Sequence, residues 1–97
     1  MTVNSRIHAL ADVQKDVEQA LLEIVRLARA EQGCITFDLH RAVDDPTQFW
    51  ISECWASQDA LLQHLSKPYL KAWLERSTSL VAEPIEITQW KLIGSSR

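Results

Sequence analysis

No run in this sequence approaches the roughly 18 apolar residues that a membrane-spanning helix needs. The opening residues, MTVNSRIHAL, contain no apolar signal-peptide segment, so the expectation is a cytoplasmic protein. Glycine is scarce, at two residues. No Gly-rich loop is therefore available to cradle a phosphate, and nucleotide-binding fingerprints are excluded. Cys34 and Cys54 are the only cysteines and show no C-x-x-C spacing. Two thiols cannot build a structural zinc site by themselves, and in a reducing compartment they read as free. Positive charge is in deficit, with 10 Lys and Arg against 13 Asp and Glu and a net charge of −3. That balance argues against nucleic acid or an anionic membrane as partner. What is present is an ordinary globular mix, 46% hydrophobic and 24% charged, in 97 residues. This is room for one domain over 1–97, with a loose tail expected at 94–97. Trp is over-represented, at four residues against two Phe and one Tyr.

The chain divides cleanly by period. Val3 to Leu10 is β-compatible, with Val3, Ile7 and Ala9 on one side. From Val13 the apolar residues Val17, Ala20, Leu21, Ile24, Leu27 and Ala28 recur at spacings of three and four, one face of a helix. Asp12 is the expected N-cap and Gly33 the expected C′ residue, giving a helix over about 12–32. Charged Glu18, Glu23, Arg26 and Arg29 read as its solvated face. Cys34 to Arg41 alternates, Ile35, Phe37 and Leu39 against Cys34, Thr36, Asp38 and His40. After the turn Val43-Asp44-Asp45-Pro46-Thr47, Gln48 to Ala56 alternates again. Phe49, Ile51, Glu53 and Trp55 take one face, and Trp50, Ser52 and Cys54 the other. The two strands should pair antiparallel, with Cys34 roughly opposite Cys54. Ser57 is placed to cap a short helix carrying Ala60, Leu61, His64 and Leu65. Pro68 ends that helix and can start the next, with Leu70, Trp73, Leu74, Leu80 and Val81. A last strand is expected over Ile85 to Ile93.

The order β-α-β-β-α-(α)-β specifies an α+β fold. It is the ferredoxin-like split βαβ, a four-stranded antiparallel sheet with helices on one face. The chain holds no element to cover the other face. A second copy packed sheet to sheet would supply it, and the expectation is a homodimer forming a dimeric α/β barrel.

Three segments then carry a family resemblance: AEQGCITFDL, DDPTQFWISECWASQDALLQHLSKPYLKAW and LVAEPIEI. The run Glu53-x-Trp55-x-Ser57-x-x-Ala60-x-x-x-His64, followed by Lys67-Pro68-Tyr69 and preceded by Glu31-x-Gly33-Cys34, resembles the antibiotic biosynthesis monooxygenase family. The likeness runs from about Val3 to Trp90. It implies a dimeric α+β barrel and, as in the quinol-monooxygenase-like members, oxidation of an electron-rich quinol or polyphenol by dioxygen. It implies no metal, flavin or haem cofactor, because such a substrate supplies the electrons itself once deprotonated. The fold hosts several chemistries, so activity does not follow from it alone.

The candidate residues follow. His64 is the first choice for a general base, imidazole being the side chain whose ordinary pKa lies near neutrality; the plain alternative is a core histidine that holds its helix to the sheet. Trp55 can wall an aromatic pocket and donate one N–H. Glu53 is costly to bury alone and is expected to pair with an Arg, with His64 or with a backbone donor. Phe37 stands where many relatives have Tyr, which removes a phenol from the site. Tyr69 and Trp73 are expected on the substrate pocket's other wall, or else in the core. His8, His40 and Asp38 form too sparse a set for a metal site. Haem-degrading relatives are disfavoured. Counted without gaps from Trp55, their axial histidine position holds Leu74, and their first-strand Asn position falls on Ser5 beside Asn4. A cofactor-free isomerase using His64 and a non-catalytic small-molecule binding module remain as alternatives.

Overall fold

The computed structural model describes residues 1–96. The elements are β1 (Thr2–His8), α1 (Gln14–Arg29), β2 (Cys34–Arg41), β3 (Gln48–Trp55), α2 (Gln58–Leu65), α3 (Pro68–Ser77) and β4 (Glu86–Trp90). The strands form one antiparallel sheet in the order β2-β3-β1-β4. The three helices lie on one side of it. Inward-pointing Val3 and Ile7 of β1, Phe37 of β2 and Phe49, Ile51 and Trp55 of β3 bury against Val17, Leu21, Ile24, Val25 and Ala28 of α1, with Leu61 and Trp73. The period-two and period-3.6 patterns thus meet in one core, and the apolar stripe of α1 gains Val25.

Several boundaries differ from the sequence reading, each for a local reason. Asp12 does not cap α1. It adopts φ +75°, a left-handed conformation that Asp tolerates, and closes a turn just before the helix. Val13 is the N-cap, without a side-chain cap bond. At the other end α1 stops at Arg29, so Gly33 is not its C′ residue. Gly33 instead takes φ +87° in the turn that feeds β2. A Cβ there would sit 2.5 Å from the Ala60 Cβ of α2, so this position needs glycine for both conformation and space. Ile35 is not inward: the β2–β3 register shifts between Cys34 and Thr36, leaving it 62% exposed. The shift puts Thr36, not Cys34, opposite Cys54, and both thiols are free.

Leu80 and Val81 lie beyond α3. Their segment turns back and bonds to the end of β1, through Leu10 N–H to the Leu80 carbonyl at 2.9 Å and Ala82 N–H to the His8 carbonyl at 2.8 Å. The last strand is shorter than expected, Glu86–Trp90. The expected tail ends in Arg97, which lies outside the described residues. Of the charges on α1, Glu18 and Arg29 reach across to β2, pairing with Arg41 at 2.8 Å and Asp38 at 2.9 Å.

Among the described residues no element covers the second face of the sheet, and that face is largely polar. Asn4, Arg6, Asp38, His40, Ser52 and Thr88 share it with Trp50 and Trp90. Among the described residues no helix is long and apolar enough to cross a membrane.

Candidate functional site

The site is assembled by α2. Ser57 accepts the Ala60 N–H at 3.1 Å and fixes the start of this eight-residue helix. Leu61 and His64, three apart, then form its buried stripe. Pro68 opens α3 directly afterwards, where its missing N–H costs nothing. His64 is 1% exposed and lies flat on Trp55, with ring centroids 4.6 Å apart and planes 30° apart. The ring of Phe37 meets it edge-on at 5.6 Å.

Two carboxyl groups bracket this imidazole. Its Nδ1 stands 2.8 Å from Oε2 of Glu31, in the turn after α1. Its Nε2 stands 3.9 Å from Oε1 of Glu53 on β3. Trp55 donates its indole N–H to the same Glu53 oxygen at 2.8 Å. The Tyr69 hydroxyl of α3 donates to Glu31 Oε2. Four chain segments thus converge on one histidine.

Burial pushes the Glu53 carboxyl above the usual carboxylate range. The Glu31 charge adds to the rise, while the Trp55 hydrogen bond and His64 oppose it. Glu53 therefore keeps its proton to a higher pH folded than unfolded. The stability it contributes is present below its unfolded pKa and is lost as pH climbs through the raised folded value. Chemical denaturation of wild type and Glu53→Gln across pH 4 to 8 should show this directly. The wild type is expected to lose stability relative to the variant as pH rises, and a constant difference between them would contradict the assignment. Cys34, beside the same cluster, has its thiol pushed up by burial and by Glu31 and Glu53, and is a poor nucleophile there.

Glu53 and His64 open on a small pocket between sheet and helices, of about 50 Å³. Its other walls include Ser5, Phe37, Leu70 and Trp73, and among the described residues no lysine or arginine lines it. Leu74, Ile85 and Ile87 are shared with an adjoining open groove of about 440 Å³ between α3 and residues 81–87. These three side chains separate the groove from the carboxyl–imidazole pair.

Of the residues singled out in the sequence, His64, Trp55, Glu53 and Phe37 are in mutual contact, and Trp73 lies on the pocket wall. Trp55 stands behind His64 rather than on the wall. Tyr69 is turned to Glu31 and stands outside the pocket lining. Glu53 pairs with His64 and Trp55, and with no arginine among the described residues. Two participants were not singled out. Glu31 stands in the sequence only within Glu31-x-Gly33-Cys34, and the signal for Ser5 as a pocket residue is a polar residue at an inward position between Val3 and Ile7. His8 and His40 are elsewhere, on Glu83 at 2.9 Å and on the Trp50 carbonyl at 3.3 Å. No group of three or more His, Cys, Asp or Glu is placed to hold a metal among the described residues.

Comparison with known proteins adds a lineage to this geometry. A sequence model for antibiotic biosynthesis monooxygenase matches residues 1–76. An uncharacterized protein of Synechocystis is 32% identical over 65 residues, which are 67% of this chain and 44% of that protein. The match thus spans less than half of that relative's length. A Pseudomonas aeruginosa protein of solved structure superposes with a TM-score of 0.88 at 26% identity, covering 96% of this chain and 93% of its own. A Mycobacterium tuberculosis protein shares the fold at TM-score 0.90 and 22% identity, covering 99% and 97%.

Proposed function

The chain belongs to the antibiotic biosynthesis monooxygenase family, and on that footing we propose that it oxidises a quinol or related phenolic compound with dioxygen and without a cofactor. The observation that carries this reading is the buried pair of His64 and Glu53, 3.9 Å apart, at one end of an apolar pocket. Deprotonating a phenol raises its electron density enough to react with dioxygen. A buried imidazole is suited to take that proton. The reaction balances without outside electrons: a hydroquinone plus dioxygen gives a hydroxyquinone plus water. One oxygen atom enters the ring and the other leaves as water, which needs a proton. Glu53, which burial holds in its protonated form to higher pH than usual, is placed to give that proton and to take it back.

A pocket of about 50 Å³ has room for roughly one or two waters. In this reading an aromatic ring enters from the groove by displacing Leu74, Ile85 and Ile87, and Phe37 and Trp73 then flank it. Trp55 backs the imidazole and holds Glu53.

The test is an oxygen electrode with reduced naphthoquinones and simple catechols. Substrate-dependent uptake above autoxidation is the expected result. No uptake with any of them would overturn the reading, and anaerobic turnover would replace it by an isomerase. The same proposal includes a second copy on the open sheet face, where Trp50 and Trp90 are 41% and 57% exposed. Light scattering should then return twice the 11.1 kDa chain mass, and a monomer would exclude the dimeric barrel.

A further inference from the structure

We infer that Glu31 is the positioning residue that sets the tautomer of His64, holding the proton on Nδ1 so that Nε2 is the basic atom. The inference rests on reading His64 as the base. It concerns a residue in a turn outside every helix and strand.

The argument is one of donors and acceptors. An ionised carboxylate oxygen only accepts hydrogen bonds. Glu31 Oε2 has two neighbours within bonding distance, the Tyr69 hydroxyl and His64 Nδ1. The Tyr69 hydroxyl is pushed well above its ordinary value, first by burial and then by the Glu31 carboxylate, so it keeps its proton and is a donor. The arrangement is satisfied when Nδ1 also brings a proton. Nε2 then carries the lone pair, on the side of Glu53 and the pocket. When Nε2 takes a proton, the Glu31 charge at 2.8 Å stabilises the resulting imidazolium. The side chains of His64 and Glu31 are 2% and 9% exposed, so water does little to weaken this attraction. The groups facing the imidazole are accounted for: Glu31 from the turn, Glu53 and Trp55 from β3, Phe37 from β2 and Tyr69 from α3. The Tyr69 oxygen also lies 3.4 Å from Nδ1, long for a competing bond.

Replacing Glu31 by Gln tests the assignment sharply. The amide can offer an N–H to Nδ1, which would favour the opposite tautomer with the proton on Nε2. The measurement is long-range ¹H–¹⁵N correlation on histidine-labelled protein without substrate. His8→Gln and His40→Gln variants assign the three imidazoles. Wild-type His64 is expected in the Nδ1–H form, Glu31→Gln shifted toward Nε2–H, and Glu31→Asp and Tyr69→Phe still in the Nδ1–H form. In turnover, Glu31→Gln is expected to lower kcat by about 10²-fold or more with little change in KM. A wild-type His64 in the Nε2–H form would overturn the inference. Should Glu31→Gln not fold, the wild-type and Glu31→Asp spectra still decide it. Because the spectra need no substrate, a failure here is distinct from an absence of oxygen uptake, which counts against the proposed activity.

Discussion

His64→Ala is expected to cut substrate-dependent oxygen uptake by about 10²–10⁴-fold, the range typical of losing a general base. The change would remove the proposed proton acceptor and leave Glu31 and Glu53 facing each other across an emptied site. Burial raises the cost further, because the Glu31 carboxylate then loses the imidazole N–H beside it. His64→Gln fills more of the space and separates the chemical loss from the structural one. Initial rates, measured alongside near-ultraviolet circular dichroism to report the packing of Trp55, provide the check. Activity retained within a few fold in a folded His64→Ala protein would remove the histidine from the chemistry.

Trp55→Ala is expected to produce the largest loss of stability, about 3–5 kcal/mol. Trp55 is 1% exposed and touches both the imidazole and, edge-on at 6.5 Å between centroids, Phe37. Its indole N–H is also the nearest donor to Glu53, so truncation opens a cavity and leaves a buried carboxyl short of a partner. A domain of this size has roughly 5–15 kcal/mol in all, so the variant should unfold at markedly lower urea concentration than wild type. A shift in the urea midpoint equivalent to less than about 1 kcal/mol would mean that the cavity collapses or that the stack contributes little.

The parts of the fold that were legible in the sequence are those where one face is buried and the other wet. Phe49, Ile51, Glu53 and Trp55 alternate without interruption because β3 is an inner strand packed on one side. Ser57 and Pro68 mark the ends of the short helices through local bonding, and so could be read locally. Ile35 could not, since an alternating pattern looks the same whether or not the backbone bulges beneath it. Leu80 and Val81 kept helical spacing by coincidence, while their backbone is claimed by the end of β1. The site shows the same division. His64, Glu53 and Trp55 lie within one short stretch whose two periods orient them together. Glu31 is 33 residues from His64, and only the left-handed turn at Gly33 and its close approach to Ala60 bring it under α2. No period or motif spacing encodes that meeting.

Under the proposed function, the lack of lysine and arginine on the pocket wall among the described residues would act as a filter on ligand charge. A ring bearing a carboxylate, sulfonate or phosphate would have to shed its water in a space bounded by Glu53 and backed by Glu31, with no fixed cation to receive it. A neutral phenol pays no such penalty on arrival. On the proposed reading it would become negative only as it hands its proton to His64, so the anion and the imidazolium that balances it would arise together. Selection among substrates would then fall on the charge they carry in water at least as much as on their shape. Carboxylated analogues of an accepted quinol should be poor competitors for the site, however well their rings fit between Phe37 and Trp73.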